Sequence, residues 1–151
     1  MVGEQDNGYY VKDPQRIRNI RYLDGTLLSP FIPEYRDKMI LIYATTAREA
    51  KNIIENQKIP KENRNDMAGN GIYMWENIPD ARRHSRTGTE TFLVAGVFFT
   101  HVYTDSSQPF PDQRNYQSHD SFRGDFQGTR YYMVKKNKYI TGIHFIGGIN
   151  P

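Results

Sequence analysis

Residues 69–85 constrain the fold more than any other part of the sequence, because a strand pattern there runs directly into a capped helix pattern. Two glycines open the stretch, and glycine lets a backbone turn tightly or approach a ligand closely. The aromatic, β-favouring residues 72–75 follow and predict a short strand. Asn77 is placed to cap a helix with Pro79 in its first turn, and residues 80–85 continue that helix.

The same stretch carries two flat side chains at a spacing that suggests a cleft. Tyr73 stands on the predicted strand, and His84 stands eleven positions later on the predicted helix. A strand that turns into a helix can bring two such rings to face each other. Taken alone, the stretch also fits an ordinary strand–turn–helix corner with no ligand, so its neighbours must decide.

The composition indicates one globular domain and excludes several classes of chemistry. The 151 residues carry a formal net charge of +3, with 37% hydrophobic and 25% charged residues, which suits a single folded domain. Without cysteine, the chain has no thiolate nucleophile and no cysteine zinc site. No apolar run is long enough for a membrane span, and the polar N-terminus shows no signal peptide. We therefore expect a protein of the cytoplasm, or an effector delivered into a host cytoplasm, with no membrane partner.

Strand and helix patterns along the rest of the chain predict an α+β fold in which strands dominate. Residues 1–38 are rich in turn signals, and we expect them to form an N-terminal wrap on a domain of residues 39–151. Apolar strand patterns are found at residues 39–43, 91–99, 131–134 and 139–146. The run 91–99 is apolar almost throughout, which predicts a central strand.

A helix and a polar loop are predicted after the first of these strands. Thr45 or Thr46 is placed to cap the helix, whose apolar residues recur at helical spacing up to Asn56. Residues 57–68 are charged and polar, which is typical of a solvated connection, although such loops also gate clefts. No histidine pair or carboxylate cluster in the sequence has metal-ligand spacing.

Several stretches of the chain, in order, resemble the ADP-ribosyltransferase superfamily, most closely its poly(ADP-ribose) polymerase and diphtheria-toxin branch. The most specific is Gly-Asn-Gly-Ile-Tyr at residues 69–73, which is similar to the family's Gly-x-Gly-Ile-Tyr strand. The other stretches that resemble family motifs are residues 42–46, 81–85, 92–98, 118–122 and 129–134. The resemblance implies an ADP-ribosyltransferase-like split β-sandwich with short peripheral helices.

The resemblance also implies that the protein binds NAD as a substrate and cleaves the bond from nicotinamide to ribose. That cleavage builds positive charge on the sugar, so the family clamps nicotinamide between flat rings and places negative charge near the ribose. Tyr73 and His84 fall at the two ring positions. The family's histidine falls at Ala44 and its glutamate at Arg130, so its His-Tyr-Glu triad is Ala-Tyr-Arg in this chain.

The changed triad leaves the acid of the reaction open. Glu76, Asp120 or Asp125 could supply it, in which case Arg130 would contact the pyrophosphate. The candidate catalytic residues are Tyr73, Glu76, Asp125 and Arg130. The candidate NAD-binding residues are Tyr43, Ala44, Thr45, Thr46, Gly71, Tyr73, Arg83 and His84. Within this second set, the backbone of Thr45 would hold the carboxamide.

Two functions of different classes follow from the resemblance. In the first, the chain is an enzyme that transfers a single ADP-ribose from NAD to a macromolecular acceptor such as a protein, since chain building in the family depends on the missing glutamate. In the second, the chain is a catalytically inactive relative that binds NAD, ADP-ribose or a protein partner. A nucleic-acid-binding module with base-stacking tyrosines is disfavoured, because the basic residues form no clustered stripe.

Overall fold

The structure is a computed structural model that describes residues 9–11, 20–22, 38–99, 102–104 and 121–151. In these ranges the chain forms ten strands, two α-helices and one turn of 3-10 helix. The strands are β1 (Tyr9–Val11), β2 (Ile20–Tyr22), β3 (Met39–Thr45), β4 (Glu62–Arg64), β5 (Gly69–Trp75), β6 (Thr91–Val97), β7 (Val102–Thr104), β8 (Ser121–Phe126), β9 (Thr129–Val134) and β10 (Ile140–Gly148). The helices are α1 (Ala47–Asn56), α2 (Ile78–His84) and the 3-10 turn Asn137–Tyr139.

Eight of the described strands form one sheet. Seven follow the order β10-β6-β3-β5-β9-β8-β7, and β4 is added beside β5. Neighbours are antiparallel except for β7 and β8, which are parallel. β3 and β5 share one register pair, Ile42 with Trp75, so the sheet divides at this seam into two halves. The predicted α+β fold with strands dominating is confirmed.

The core is built around β6, whose seven residues are all buried. β6 pairs with β3 on one side and with β10 on the other. A strand that is covered on both faces has no solvent side, which is why this run is apolar almost throughout instead of alternating. The prediction of a central strand here is confirmed.

Both α-helices begin at residues that the sequence predicts as caps. At α1, the Thr46 hydroxyl oxygen accepts a hydrogen bond from the Glu49 N–H (3.1 Å). At α2, Asn77 Oδ1 accepts one from the Asp80 N–H (2.9 Å). Pro79 lies in the first turn of α2, where its missing N–H leaves no intrahelical bond unmade. α2 therefore begins directly after β5, as predicted.

Residues 57–68, expected as an exposed loop, are instead tied to the sheet. The Gln57 amide donates to the Ile143 carbonyl (3.1 Å) and accepts from its N–H (2.9 Å). Asn137 makes the same pair of hydrogen bonds to Ile59 (3.0 and 2.7 Å). The following β4 pairs with β5. These partners lie 86 and 78 residues apart in the chain, so the local sequence does not reveal them.

Most of the predicted N-terminal wrap lies outside the described residues. Its two described strands, β1 and β2, pair antiparallel with each other as a separate two-stranded sheet, and β2 lies beside β10. The candidate acid Asp120 and residues 118–119 of the same family-like stretch also lie outside the described ranges.

Candidate functional site

One face of the β5–β9 pair carries a layer of aromatic side chains. Side chains alternate along a strand, so Tyr73 and Trp75 share a face of β5, and the register places Tyr131 opposite Trp75. The Tyr131 ring centroid lies 5.7 Å from that of Tyr73 and 5.9 Å from that of Trp75. We refer to the side of the pair that bears these three rings as the aromatic face. It adjoins the seam between the two halves of the sheet, because Trp75 is the seam residue of β5.

Helix α2 adds His84 to the aromatic face. The imidazole stacks on the Trp75 indole, with centroids 5.0 Å apart and 22° between the planes, and the Phe126 ring meets it edge-on at 5.6 Å. His84 Nε2 lies 3.1 Å from the Thr129 hydroxyl oxygen. His84 is only 7% exposed, and this burial, helped by the charge of Arg83, lowers the pKa of the imidazole. Burial therefore favours the neutral form of the ring.

Tyr73 is fixed in the aromatic face by its hydroxyl. The oxygen accepts a hydrogen bond from the Ala68 N–H (2.9 Å) and donates one to the Gly69 carbonyl (2.7 Å). The residue is 1% exposed, and burial raises the pKa of the phenol. Since the hydroxyl proton is committed to the backbone, the part of Tyr73 that can serve a ligand is its ring face.

The Arg64 guanidinium lies where Tyr73, His84 and Phe126 converge. Its central carbon is 5.7 Å from the Tyr73 ring centroid and 5.6 Å from that of Phe126. Its Nη1 donates a hydrogen bond to the His84 carbonyl oxygen (2.8 Å), and Arg64 is 3% exposed. Arg64 therefore contacts the ring of Tyr73 and the backbone carbonyl of His84, whereas the His84 ring stacks on Trp75. A flat side chain of the protein itself occupies the space beside Tyr73.

Arg64 belongs to a group of charged side chains on β4 and the turn that follows. Glu62 and Arg64 are two positions apart on β4 and therefore share one face of that strand. Asp66 Oδ1 lies 3.9 Å from Arg64 Nε, while its other oxygen pairs with Arg86 at 2.7 Å. Burial raises the pKa of Glu62 and lowers that of Arg64. A carboxylate and a guanidinium are thus both presented on the side of Tyr73.

The end of β3, predicted to hold the carboxamide, is hydrogen-bonded to the loop after α2. The Ala44 carbonyl accepts from the hydroxyls of Ser85 and Thr87. The Thr45 hydroxyl donates to the Thr87 carbonyl (3.4 Å), and the Thr45 carbonyl accepts from the Glu90 N–H (3.1 Å). The polar groups of this strand end are therefore used within the protein.

The other two predicted residues at this strand end have structural surroundings. Thr46 caps α1 through its hydroxyl oxygen. The buried Tyr43 hydroxyl lies beside Thr87 but does not reach hydrogen-bond geometry with any described group. Burial, with a smaller effect of Glu62, raises the pKa of Tyr43 to about 12. Tyr43 therefore stays protonated, with hydrogen-bonding capacity left over.

Three candidate catalytic residues lie together on the face opposite Tyr73. Glu76 Oε2 accepts a hydrogen bond from the Tyr132 hydroxyl (2.9 Å) and lies 3.9 Å from Arg130 Nη1. Asp125 is the register partner of Arg130. Tyr132 points away from the aromatic face, because the preceding residue of β9 points into it. The structure therefore separates this charged group from the rings predicted to clamp nicotinamide.

Arg83 and Gly71 complete the predicted set. Arg83 is exposed on α2, where its side chain faces solvent and pairs with Asp80 (3.9 Å). A Cβ built on Gly71 would lie 2.0 Å from the Met133 sulfur. The missing side chain at Gly71 therefore makes room for Met133, and not for a ligand.

The sequence did not point to four residues around the site: Glu62, Arg64, Phe126 and Thr129. Glu62 and Arg64 alternate with Asn63, but nothing in this short polar run indicates that it pairs with β5. Thr129 immediately precedes Arg130, the residue matched to the family's glutamate, and Thr129 is the one that reaches the His84 ring. Thr129 faces the His84 ring, whereas the Arg130 side chain lies on the opposite face, near Glu76.

Among the described residues, no group of three histidine, aspartate or glutamate side chains could hold a metal ion. None of the helices in the described part of the chain is long and apolar enough to cross a bilayer. No family model matches the sequence. No curated protein matches it either.

Proposed function

We propose that this chain is an ADP-ribosyltransferase-like protein that binds NAD, releases nicotinamide and transfers a single ADP-ribose to a macromolecular acceptor, a protein being the expected partner. The observation that carries the proposal is the seat of the Arg64 guanidinium, over the Tyr73 ring and hydrogen-bonded to the His84 carbonyl. A flat polar group already fits beside the residues that match the family's two ring positions.

Nicotinamide resembles that guanidinium in shape and in hydrogen bonding. Its ring is flat and gains about 1 kcal/mol from an aromatic neighbour beyond the area it buries. Its carboxamide NH2 can donate to the His84 carbonyl, as Arg64 Nη1 does at 2.8 Å. Trp75 stacks on the His84 imidazole and fixes its plane. The seat therefore offers both contacts that a pyridine amide requires.

In this proposal Glu62 supplies the negative charge near the ribose. When the bond from C1′ to nicotinamide breaks, its electron pair leaves with nicotinamide and positive charge remains on the sugar. An acceptor oxygen or nitrogen then bonds to C1′ and loses a proton. Glu62 shares the side of β4 that bears Arg64, whereas Glu76 and Asp125 are on the far face. A carboxylate in a poorly solvated site also acts more strongly on nearby positive charge.

The division of the sheet supports the same assignment. A split β-sandwich requires two sheets that part beside a cleft. Here the β10-β6-β3 half and the β5-β9-β8-β7 half meet at the single pair Ile42–Trp75, next to the aromatic face.

A chain without cysteine also suits a reducing compartment. We therefore propose the cytoplasm as its site of action, either its own or that of a host it enters as an effector.

A second candidate function is binding without catalysis, and one observation favours it. Arg64 fills the seat, and the family's histidine and glutamate positions are Ala44 and Arg130. Alanine offers no side-chain hydrogen bond, and Arg130 points away from the aromatic face. In this case the protein would bind NAD, ADP-ribose or a protein partner and leave the glycosidic bond intact.

Nicotinamide release from NAD, with water as the acceptor, separates these functions. The test compares the wild type with Glu62→Gln and with Glu76→Gln, a matched loss of a carboxylate on the other face. For the enzyme we expect release that falls about 100-fold or more in Glu62→Gln, the typical cost of one electrostatic contact to the transition state. Release should stay within about twofold in Glu76→Gln.

Calorimetric titration with NAD completes this test. Saturable binding with no release supports the non-catalytic function. Release that depends on Glu76 and not on Glu62 would overturn the role given to Glu62. If the protein neither binds nor cleaves NAD, the enzymatic function and NAD binding without catalysis are both contradicted.

A further inference from the structure

We propose that Arg64 is a displaceable plug, which competes with the nicotinamide end of NAD for the seat beside Tyr73 and keeps the site closed until β4 moves. This inference rests on the proposed function, because it names the nicotinamide seat as the place that is blocked. It adds a regulatory contact in the chain itself. The observations behind it are the position, the poor pairing and the attachment of Arg64.

The position of Arg64 excludes a ligand from the seat. Its guanidinium lies over the Tyr73 ring at 5.7 Å and over the Phe126 ring at 5.6 Å. Its Nη1 also takes the His84 carbonyl as acceptor. A flat amide ligand would need the same ring face and the same carbonyl. The two groups therefore cannot occupy the seat together.

The pairing of Arg64 is poor for a buried cation. A buried guanidinium is normally stabilised by a close carboxylate and several hydrogen bonds, since removal from water is costly. Here Arg64 Nε and Asp66 Oδ1 lie 3.9 Å apart, and each is buried with no hydrogen-bond partner among the described residues. Moving the guanidinium to solvent would recover its hydration. The lost hydration opposes the hydrogen bond to the His84 carbonyl and the two ring contacts, which favour the closed arrangement.

The attachment of Arg64 allows such a movement. β4 has three residues and is bonded to the side of β5, off the main path of the sheet. Its neighbours in the chain are the exposed Lys61 and the turn of residues 65–68. Asp66, in that turn, already pairs with the exposed Arg86 at 2.7 Å. β4 can therefore separate from β5 between Lys61 and Asp66, while Met67 and Ala68 at the end of the turn stay buried in the core.

Two probes of the seat, nicotinamide and acrylamide, test the plug. The variants are Arg64→Ala, which empties the seat, Arg64→Met, which keeps it filled with an uncharged chain, and Arg86→Ala, which removes a nearby exposed arginine. Arg64→Val favours a strand and is also too short to fill the seat, so it replaces Arg64→Ala if that variant unfolds. Trp75 is the single tryptophan of the chain and stacks on His84, so its fluorescence reports on this site alone.

We expect Arg64→Ala to bind nicotinamide about 10-fold more tightly than the wild type. This factor corresponds to a wild type in which about one tenth of the molecules have the seat open. Arg64→Met and Arg86→Ala should bind like the wild type. Binding that is unchanged or weaker in both Arg64→Ala and Arg64→Val would overturn the plug. If the wild type still binds NAD in that case, the proposed function stands.

For acrylamide, a small neutral amide, we expect quenching of Trp75 fluorescence to rise severalfold in Arg64→Ala and to stay at the wild-type value in Arg64→Met. This readout does not depend on NAD. If quenching increases but no variant binds nicotinamide, the seat opens and the proposed function is wrong. That result would also overturn the plug as stated, because the plug is defined by its competition with nicotinamide. Equal quenching in all folded variants would show that Arg64 does not close the seat.

Discussion

Replacement of Tyr73 by phenylalanine removes a single oxygen from the centre of the candidate site. That oxygen joins two backbone groups, the Ala68 N–H at 2.9 Å and the Gly69 carbonyl at 2.7 Å. The ring itself, with its contact to Tyr131 at 5.7 Å, is retained. The substitution therefore separates the structural role of the hydroxyl from any role of the ring face in binding.

The expected loss of stability follows from what is left behind. The buried Ala68 N–H loses its partner, and an unsatisfied buried donor costs about 1–3 kcal/mol. The Gly69 carbonyl loses one of its bonds, but it has a second lone pair for other donors. We expect the free energy of unfolding to fall by about 2 kcal/mol. With a urea m-value of about 2 kcal/mol per M, this lowers the unfolding midpoint by about 1 M.

Equilibrium urea unfolding, followed by Trp75 fluorescence, measures the effect. Tyr43→Phe is the matched control, because its buried hydroxyl reaches no described partner, and we expect a change within about 0.5 kcal/mol or a gain in stability. If Tyr73→Phe is as stable as the wild type, the two backbone bonds contribute nothing and the account of the site is refuted. Nicotinamide release by Tyr73→Phe should match the wild type, since the ring face is unchanged.

Three further predictions concern packing, capping and pH. Gly71→Ala should destabilise the fold by about 1–3 kcal/mol, because its Cβ would lie 2.0 Å from the Met133 sulfur. In thermal unfolding, the loss of stability of the double variant Gly71→Ala with Met133→Ala should be smaller than the sum of the losses of the two single variants. Thr46→Ala should lose about 1 kcal/mol in chemical denaturation by removing the cap of α1, whereas Thr46→Ser should stay close to the wild type. The pKa of His84 is lowered by burial in the folded state, so the unfolded chain takes up the proton first. The free energy of unfolding should therefore decrease as the pH falls below about 6.5 and level off below the folded pKa. His84→Gln should remove this part of the pH dependence, and an identical slope in that variant would contradict the burial argument.

The sequence by itself determined the elements whose causes are local. Thr46 and Asn77 cap their helices because each side chain bonds to an N–H three residues later, within the same segment. The uninterrupted apolar run at β6 predicted a strand covered on both faces. The glycine-led strand β5 is followed directly by α2, as the sequence of residues 69–85 predicts. Both caps are interactions within a few residues of the chain, and both strand patterns are read from consecutive residues.

Only the tertiary structure decided which side chains share the site. In β9, Tyr131 and Tyr132 are adjacent and identical, so alternation along the strand could not tell which of them faces inward. Packing of Tyr131 against Trp75 settles this, and it turns Arg130 to the opposite face together with Glu76. Arg64 is buried at the rings because the sheet gives β4 a place beside β5, a pairing that its polar sequence does not reveal. A period of two fixes which residues of a strand lie on the same side, but only contacts with distant segments fix which side is the inside.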